Sequence, residues 1–203
     1  MTFRKMLLKD YLDSLSAATA IPGGGSAAAL AGAMGAALGK MVCGITSLKG
    51  KQAGNKKLIQ YKKVFHKNYN KLFSLSEKDC LAYQKVMNAY KLPKNTDAQI
   101  AKRRAKIQEA LYLAMSVPFE GMEVSVENIK ALARISKDIK DTVESDFVTA
   151  ILLTIVALGG CGKNVLINAK SIKDNKINAH AAKRMKRLTD DFEKELAKLK
   201  PWL

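Results

Sequence analysis

The chain has 203 residues, enough to bury a core without disulfides or metals, and residues 1–203 are read as a single domain. An apolar fraction of 48% excludes a disordered chain, and an aromatic share of 6% with abundant Ala, Leu, Ile and Lys favours helix over sheet. The formal charge of +17 would attract polyanions, but aromatics interleave with the lysines only at Tyr61, Phe65 and Tyr69, so a solvated surface is expected and nucleic acid disfavoured.

In chain order, Leu7, Leu8, Tyr11, Leu12 and Leu15 recur at three-and-four spacing and predict an amphipathic helix that stops before Pro22. Gly23, Gly24 and Gly25 predict a turn, and Ser26 an N-cap for a helix running to about Thr46. In that helix Gly32, Gly35, Ala36 and Gly39 form a small-residue stripe, the mark of a central helix approached closely by its neighbours or of a dimer contact. Lys49 to Asn55 reads as a loop. Eight lysines and no acid fall between Lys49 and Lys71.

A long helix is expected over Lys56–Tyr90, with Leu58, Tyr61, Phe65, Leu72, Leu75 and Val86 inward. Leu92-Pro93-Lys94-Asn95 breaks the pattern, and Thr96 with Gln99 predicts a capping box opening a helix that Pro118 must kink or end. Further helices are expected over Val126–Ser136, from Ser145 toward Ser171 with Gly159-Gly160 as a point of interruption, and over Ile177–Leu199, where Pro201 stops the chain. No repeat and no alternating strand pattern is present. The expected class is all-α: long antiparallel helices in a multihelical bundle around a buried small-residue helix.

The apolar runs Ala27–Leu38 and Phe147–Cys161 fall short of the roughly 20 residues of a membrane span, so both are expected to be buried and no membrane partner is expected. Cys43, Cys80 and Cys161 are widely spaced and without a CxxC pair, which fits neither a disulfide framework nor a zinc site and suits a reducing cytoplasm. The N-terminal segment has no signal-peptide pattern. His66 and His180 are isolated and expected at the surface, so no metal is expected and acid–base chemistry falls to carboxylates, lysines or a cysteine.

The glycine turn offers N–H groups to an anion or ligand carbonyl, although without GxGxxG and a preceding strand it does not suit a dinucleotide. Gly162-Lys163-Asn164 lacks the upstream Gly and following Ser or Thr of a phosphate-binding P-loop. Asp146 and Asn164 share a helix azimuth but stand about 27 Å apart on a straight helix, so one site would need a bend at Gly159-Gly160 or a second subunit. Asp146 and Asp79, the latter one turn before Tyr83, read equally as catalytic groups or as ordinary helix charges.

Taken together, Ile21 to Val42 (IPGGGSAAALAGAMGAALGKMV), Asp79-Cys80-Leu81-Ala82-Tyr83 with KLPKNT at Lys91 to Thr96, and Ser145-Asp146 with NVLIN at Asn164 to Asn168 resemble, in order and spacing, the formiminotetrahydrofolate cyclodeaminase and methenyltetrahydrofolate cyclohydrolase family. The resemblance implies an all-helical homodimer binding reduced folate, including polyglutamylated folate, with no cofactor beyond that substrate. It implies proton transfer by Asp146 or Asp79 and substrate contacts from Gly23, Gly24, Gly25, Ser26, Lys94, Asn95, Asn164 and Asn168. Val143 stands where the animal bifunctional enzymes carry a cysteine, which excludes thiol chemistry at that position. Of the two activities, cyclohydrolase is placed slightly ahead; a non-catalytic folate or polyanion binding module is the alternative of another class.

Overall fold

The computed structural model describes residues 3–48 and 52–203. Its helices are α1 (Leu8–Ser16), α2 (Gly24–Leu48), α3 (Lys56–Tyr90), α4 (Asp97–Ile135), α5 (Glu144–Ala169) and α6 (Asn175–Leu196), and the described residues contain no strand. The expected all-α class is what is found. Of the expected loop at Lys49 to Asn55, the first three residues lie outside the described ones. Asn55 ends that loop by accepting hydrogen bonds from the Lys57 and Leu58 N–H groups, which caps α3.

The small-residue stripe of α2 sets the architecture. A Cβ placed on Gly32 would lie 2.8 Å from the Ala157 Cβ of α5, and one on Gly39 would lie 2.8 Å from the Phe65 ring of α3. These helices therefore touch backbone to side chain, closer than larger residues permit. The contacts run in opposite sequence directions: Ala28 meets Gly160 and Gly32 meets Ala157, while Gly25 meets Asp79 and Gly39 meets Phe65. Both neighbours are thus antiparallel to α2. By length and composition α2 and α5 do reach what a membrane span needs, contrary to the shorter runs read from the sequence, yet their small-residue faces are packed on each other.

Two expected helix ends are not ends. Helix α4 passes through Pro118 and absorbs the segment expected as a separate Val126–Ser136 helix. Helix α5 is continuous across Gly159-Gly160. Gly160 serves close approach: a Cβ there would lie 2.6 Å from the Ala28 Cβ. Two further readings shift at the termini of helices. Helix α2 starts at Gly24, which puts Ser26 inside its first turn and not at its N-cap. The chain also continues past Pro201 as a 3-10 turn over Ala197–Trp202, and Trp202 packs edge-on against Phe147 at 4.9 Å. Half of the expected capping box forms at α4: the Gln99 N–H donates to Thr96 Oγ1, but Gln99 Oε1 accepts from the Asn95 N–H, one residue before the N-cap.

The core joins α2 to α5 and α6, with Phe65, Phe119, Phe147 and Phe192 among its fully buried side chains. Asn68 and Asn128 form a buried hydrogen bond of 3.0 Å between α3 and α4. Helix α6 lies on α4 through Arg184, which stacks 4.6 Å from the Phe119 ring and donates to Glu123 at 2.7 Å. His66 and His180 are exposed, as expected.

The stripe makes a prediction about glycine that depends on position. Gly32→Val is expected to lower unfolding stability by about 2–3 kcal/mol through overpacking against Ala157 and Leu72. Gly159→Ala, on the facing helix α5 but with nothing within 4 Å of its added Cβ, is expected to raise it by about 0.5–1 kcal/mol. Urea unfolding of the two variants checks both signs.

Candidate active site

Antiparallel packing around α2 brings four pieces of chain together at one end of the bundle: the glycine turn, the middle of α3, the middle of α4 and the last turns of α5. They enclose a pocket of about 120 Å³ whose wall includes Gly23, Gly24 and Gly25, Asp79 and Tyr83, Ala114, and Asn164 and Asn168. It is the described cavity in which the sequence-predicted groups converge.

Asp79 is the carboxylate of this pocket. It lies directly over Gly25, where a Cβ would overlap the carboxylate and force it to move. The Ser26 main-chain N–H donates to it, and the first N–H groups of α2 point the positive end of the helix toward it. Burial outweighs that favourable contact and raises the Asp79 pKa from 3.8 to about 6, with the Ser26 hydrogen bond opposing the rise. A carboxyl group in that range can both accept and return a proton near neutrality.

Ser26 does not face ligand. It is fully buried, its hydroxyl shares a hydrogen bond of 3.2 Å with the Tyr11 phenol, and it also bonds Cys80. Its contribution to the pocket is therefore the main-chain donor to Asp79. Burial raises the Tyr11 and Cys80 pKa values and pushes those of Cys43 and Cys161 up to about 12, so all three cysteines are held as thiols. Val143 is buried in the core at 2% exposure and is not a pocket residue.

On the α5 side, Asn164 Nδ2 donates to the Gly160 carbonyl at 2.9 Å, and Asn168 Nδ2 donates to the carbonyls of Ala114 and Asn164, both at 3.0 Å. Both Asn168 N–H groups are so engaged and one of Asn164's, which leaves the two amide oxygens as acceptors and one Asn164 N–H as a donor. Asp79 and these oxygens make the pocket rich in acceptors and negative in character. It suits a cationic or N–H-bearing group beside a carbon that undergoes addition.

Asp146 is not part of it. Helix α5 is unbroken from Glu144 to Ala169, which leaves Asp146 at the opposite end from Asn164, about 27 Å away along the axis. Within one chain, then, the bend that would have let Asp146 and Asn164 serve one site is absent. Lys94 and Asn95 are also exposed in the α3–α4 connection and outside the pocket wall. Two contributors escaped the sequence reading: the Tyr11 hydroxyl, because Tyr11 reads as one apolar position of an amphipathic helix, and Ala114, which carries no chemical signal. Tyr83 was signalled by its spacing from Asp79.

Comparison with known proteins bears on the family and the fold. The formiminotransferase-cyclodeaminase family model matches residues 7–187. A methenyltetrahydrofolate cyclohydrolase of Methylorubrum extorquens is 38% identical over 188 residues, covering 89% of this chain and 86% of that protein. The formimidoyltransferase-cyclodeaminase of Sus scrofa is 31% identical over 195 residues; the match takes in 94% of this chain but only 35% of that protein, about a third of its length. The crystal structure of a formiminotetrahydrofolate cyclodeaminase from Thermotoga maritima superposes with a TM-score of 0.85 at 27% identity, covering 98% of this chain and 96% of that one.

The raised Asp79 pKa has a sign that can be measured. A carboxyl whose folded pKa exceeds its unfolded value favours the folded state below the unfolded pKa, and that advantage is lost as pH rises through the folded value. For Asp79 the window runs from about pH 4 to pH 6. Asp79→Asn is therefore expected to match the parent in stability at pH 4 and to exceed it by roughly 2–3 kcal/mol at pH 8. Denaturant melts at the two pH values give the comparison.

Proposed function

The chain belongs to the formiminotransferase-cyclodeaminase family, and on that footing we propose that it is a one-carbon folate enzyme acting at the carbon that bridges two tetrahydrofolate nitrogens, with methenyltetrahydrofolate cyclohydrolase as its activity. The observation that carries the reading is Asp79, a partly desolvated carboxylate over Gly25 in a pocket whose wall also carries the side-chain amides of Asn164 and Asn168. Cyclohydrolase is preferred because the M. extorquens enzyme matches nearly end to end in both chains. The T. maritima cyclodeaminase supports the second reading, ring closure of formiminotetrahydrofolate with release of ammonia.

The two reactions place the same demands on Asp79. In hydrolysis the methenyl bridge is an amidinium cation, and the carboxylate favours it electrostatically. Water adds through oxygen to the bridging carbon while Asp79 takes a proton from it. As the tetrahedral centre collapses, one carbon–nitrogen bond breaks and Asp79 returns its proton to the departing nitrogen. The remaining hydroxyl proton leaves to solvent as the formyl C=O forms. In cyclodeamination the folate nitrogen closes on the formimino carbon, and the same carboxyl group protonates the departing ammonia. Gly23, Gly24 and Gly25 admit the substrate close to the α2 terminus, and Asn164 and Asn168 accept its N–H groups.

The rest of the substrate has room nearby. One to three turns further along α3 and one turn back along α4, a groove of about 540 Å³ is lined by Lys85, Asn88, Ala89, Leu92, Lys106, Glu109, Ala110 and Leu113. Its two lysines and apolar floor suit an arylamide with a glutamate tail, including a polyglutamate one, running toward the loop of Lys94 and Asn95. A homodimer is part of the same proposal. It is supported by the exposed stripe Met34, Met41, Ile45 and Leu48 on α2 beside Leu152 and Val156 on α5, an apolar area of the kind that a second copy covers. The free, buried cysteines suit the cytoplasm.

Purified protein is expected to accelerate the loss of methenyl absorbance from methenyltetrahydrofolate; ammonia release from formiminotetrahydrofolate would favour the second activity, and silence with both substrates would overturn the proposal. Asp79→Asn is expected to lower turnover by about 10²–10⁴-fold, whereas Asp146→Asn should lose less than about tenfold. For the assembly, sedimentation should give a dimer, and Met41→Glu should shift it toward monomer; a monomeric parent at micromolar concentration would refute the dimer.

A further inference from the structure

Helix α4 runs through Pro118, which sits buried in its middle. Proline has no N–H, so the carbonyl four residues earlier loses its helical donor, and the ring also crowds that carbonyl out of line. Here the orphaned carbonyl belongs to Ala114, itself part of the pocket wall. It does not stay unpartnered: Asn168 Nδ2 of α5 donates to it at 3.0 Å. The other Nδ2 hydrogen goes to the Asn164 carbonyl, also at 3.0 Å.

We infer that Pro118 is a positioning residue for the site: by leaving Ala114 O without its helical hydrogen bond, it creates the acceptor that locks the Asn168 amide and fixes its oxygen as an acceptor for substrate. Both Nδ2 hydrogens are consumed by main chain on two different helices, so the amide has one orientation that satisfies them. Reversing it would set Oδ1 against two carbonyl oxygens and leave Ala114 O unsatisfied in a half-buried place. The cost of a proline inside a 39-residue helix is offset at this one point, where α4 and α5 are joined across the pocket. The same bond ties the wall at Ala114 to the wall at Asn168, so the distance between them is set by a hydrogen bond as well as by packing.

The inference rests on the folate reading only for its catalytic consequence, and a double-mutant cycle separates the two. Pro118→Ala restores an N–H for Ala114 O and is expected to raise Tm by about 3–6 °C. In the parent, Asn168→Asp leaves the carbonyl without a donor and adds a repelling oxygen, and should lower Tm. In the Pro118→Ala background that loss should shrink by about 3 °C or more, because the helix supplies the donor. Equal losses in the two backgrounds would overturn the coupling.

The second readout is turnover. Pro118→Ala is expected to lower kcat/KM by about five- to twentyfold while Tm rises, and to have no further effect once Asn168 is alanine. Full turnover in Pro118→Ala, or an undiminished effect in the Asn168→Ala background, would overturn the positioning role. If no variant and no parent protein turns over either substrate while the Tm cycle couples, the functional reading fails and the Pro118–Asn168 link stands. Should Pro118→Ala not fold, Pro118→Leu supplies the same N–H for the cycle.

Discussion

Everything in this fold follows from how closely α2 can be approached. Helices packed through ordinary side chains keep their axes roughly 8–10 Å apart, and a helix with Gly and Ala on its buried faces lets its neighbours in to the near end of that range. Gly32 and Gly39 do this toward α5 and α3 respectively, and a methyl group at either would meet Ala157 or the Phe65 ring inside van der Waals contact. The consequence is felt at the end of the helix. Once α3 and α5 are drawn in and run antiparallel to α2, Asp79 lies on Gly25 and Asn164 beside Gly24. The packing stripe and the ligand-facing turn are two uses of one run of small residues.

The pocket shows why a carboxylate is held there at some cost. A helix N-terminus and a main-chain N–H from Ser26 both favour the charged form of Asp79, yet burial is the larger effect and raises its pKa to about 6. An exposed aspartate at the same helix end would be a stable charge and a poor proton donor. Burial costs stability and leaves a carboxyl able to exchange a proton near neutrality. The surrounding groups are largely occupied: Ser26 by Tyr11 and Cys80, while Asn168 gives both of its N–H groups and Asn164 one to main chain. What remains for a ligand is a carboxylate, two amide oxygens and one Asn164 N–H. Acceptors of that kind suit the amidinium bridge of a reduced folate.

Several parts of this were legible before any coordinates. The spacing of Leu58, Phe65, Leu72 and Val86 by multiples of seven foretold α3 and its buried face, and Thr96 with Gln99 marked the start of α4, because helix periodicity and capping are local properties. Asp79, Asn164, Asn168 and the glycines were picked out as site residues, and they converge. Asp146 was picked out on equal terms and does not join them within one chain, since its fate turned on whether Gly159-Gly160 bends α5. Lys94 and Asn95, too, lie beyond the pocket wall. Ser26 lies beside the pocket but is not the expected N-cap, because α2 begins at Gly24, three residues earlier than an N-cap at Ser26 would place it.

The sequence by itself determined the class of the fold, its helices apart from those that cross Pro118 and Gly159-Gly160, and the presence of a helix built for close contact. Each of these is written in spacing and residue size over a few turns. Only the tertiary structure decided which carboxylate meets the glycine turn, whether the glycine pair would break α5, and how α4 survives Pro118. Those outcomes depend on partners more than forty residues away: Ala28 occupies the space that makes Gly160 a contact, and Asn168 supplies the donor that Pro118 withholds from Ala114. A local rule states the cost of a glycine or a proline in a helix. Whether that cost is met depends on the group standing opposite in space.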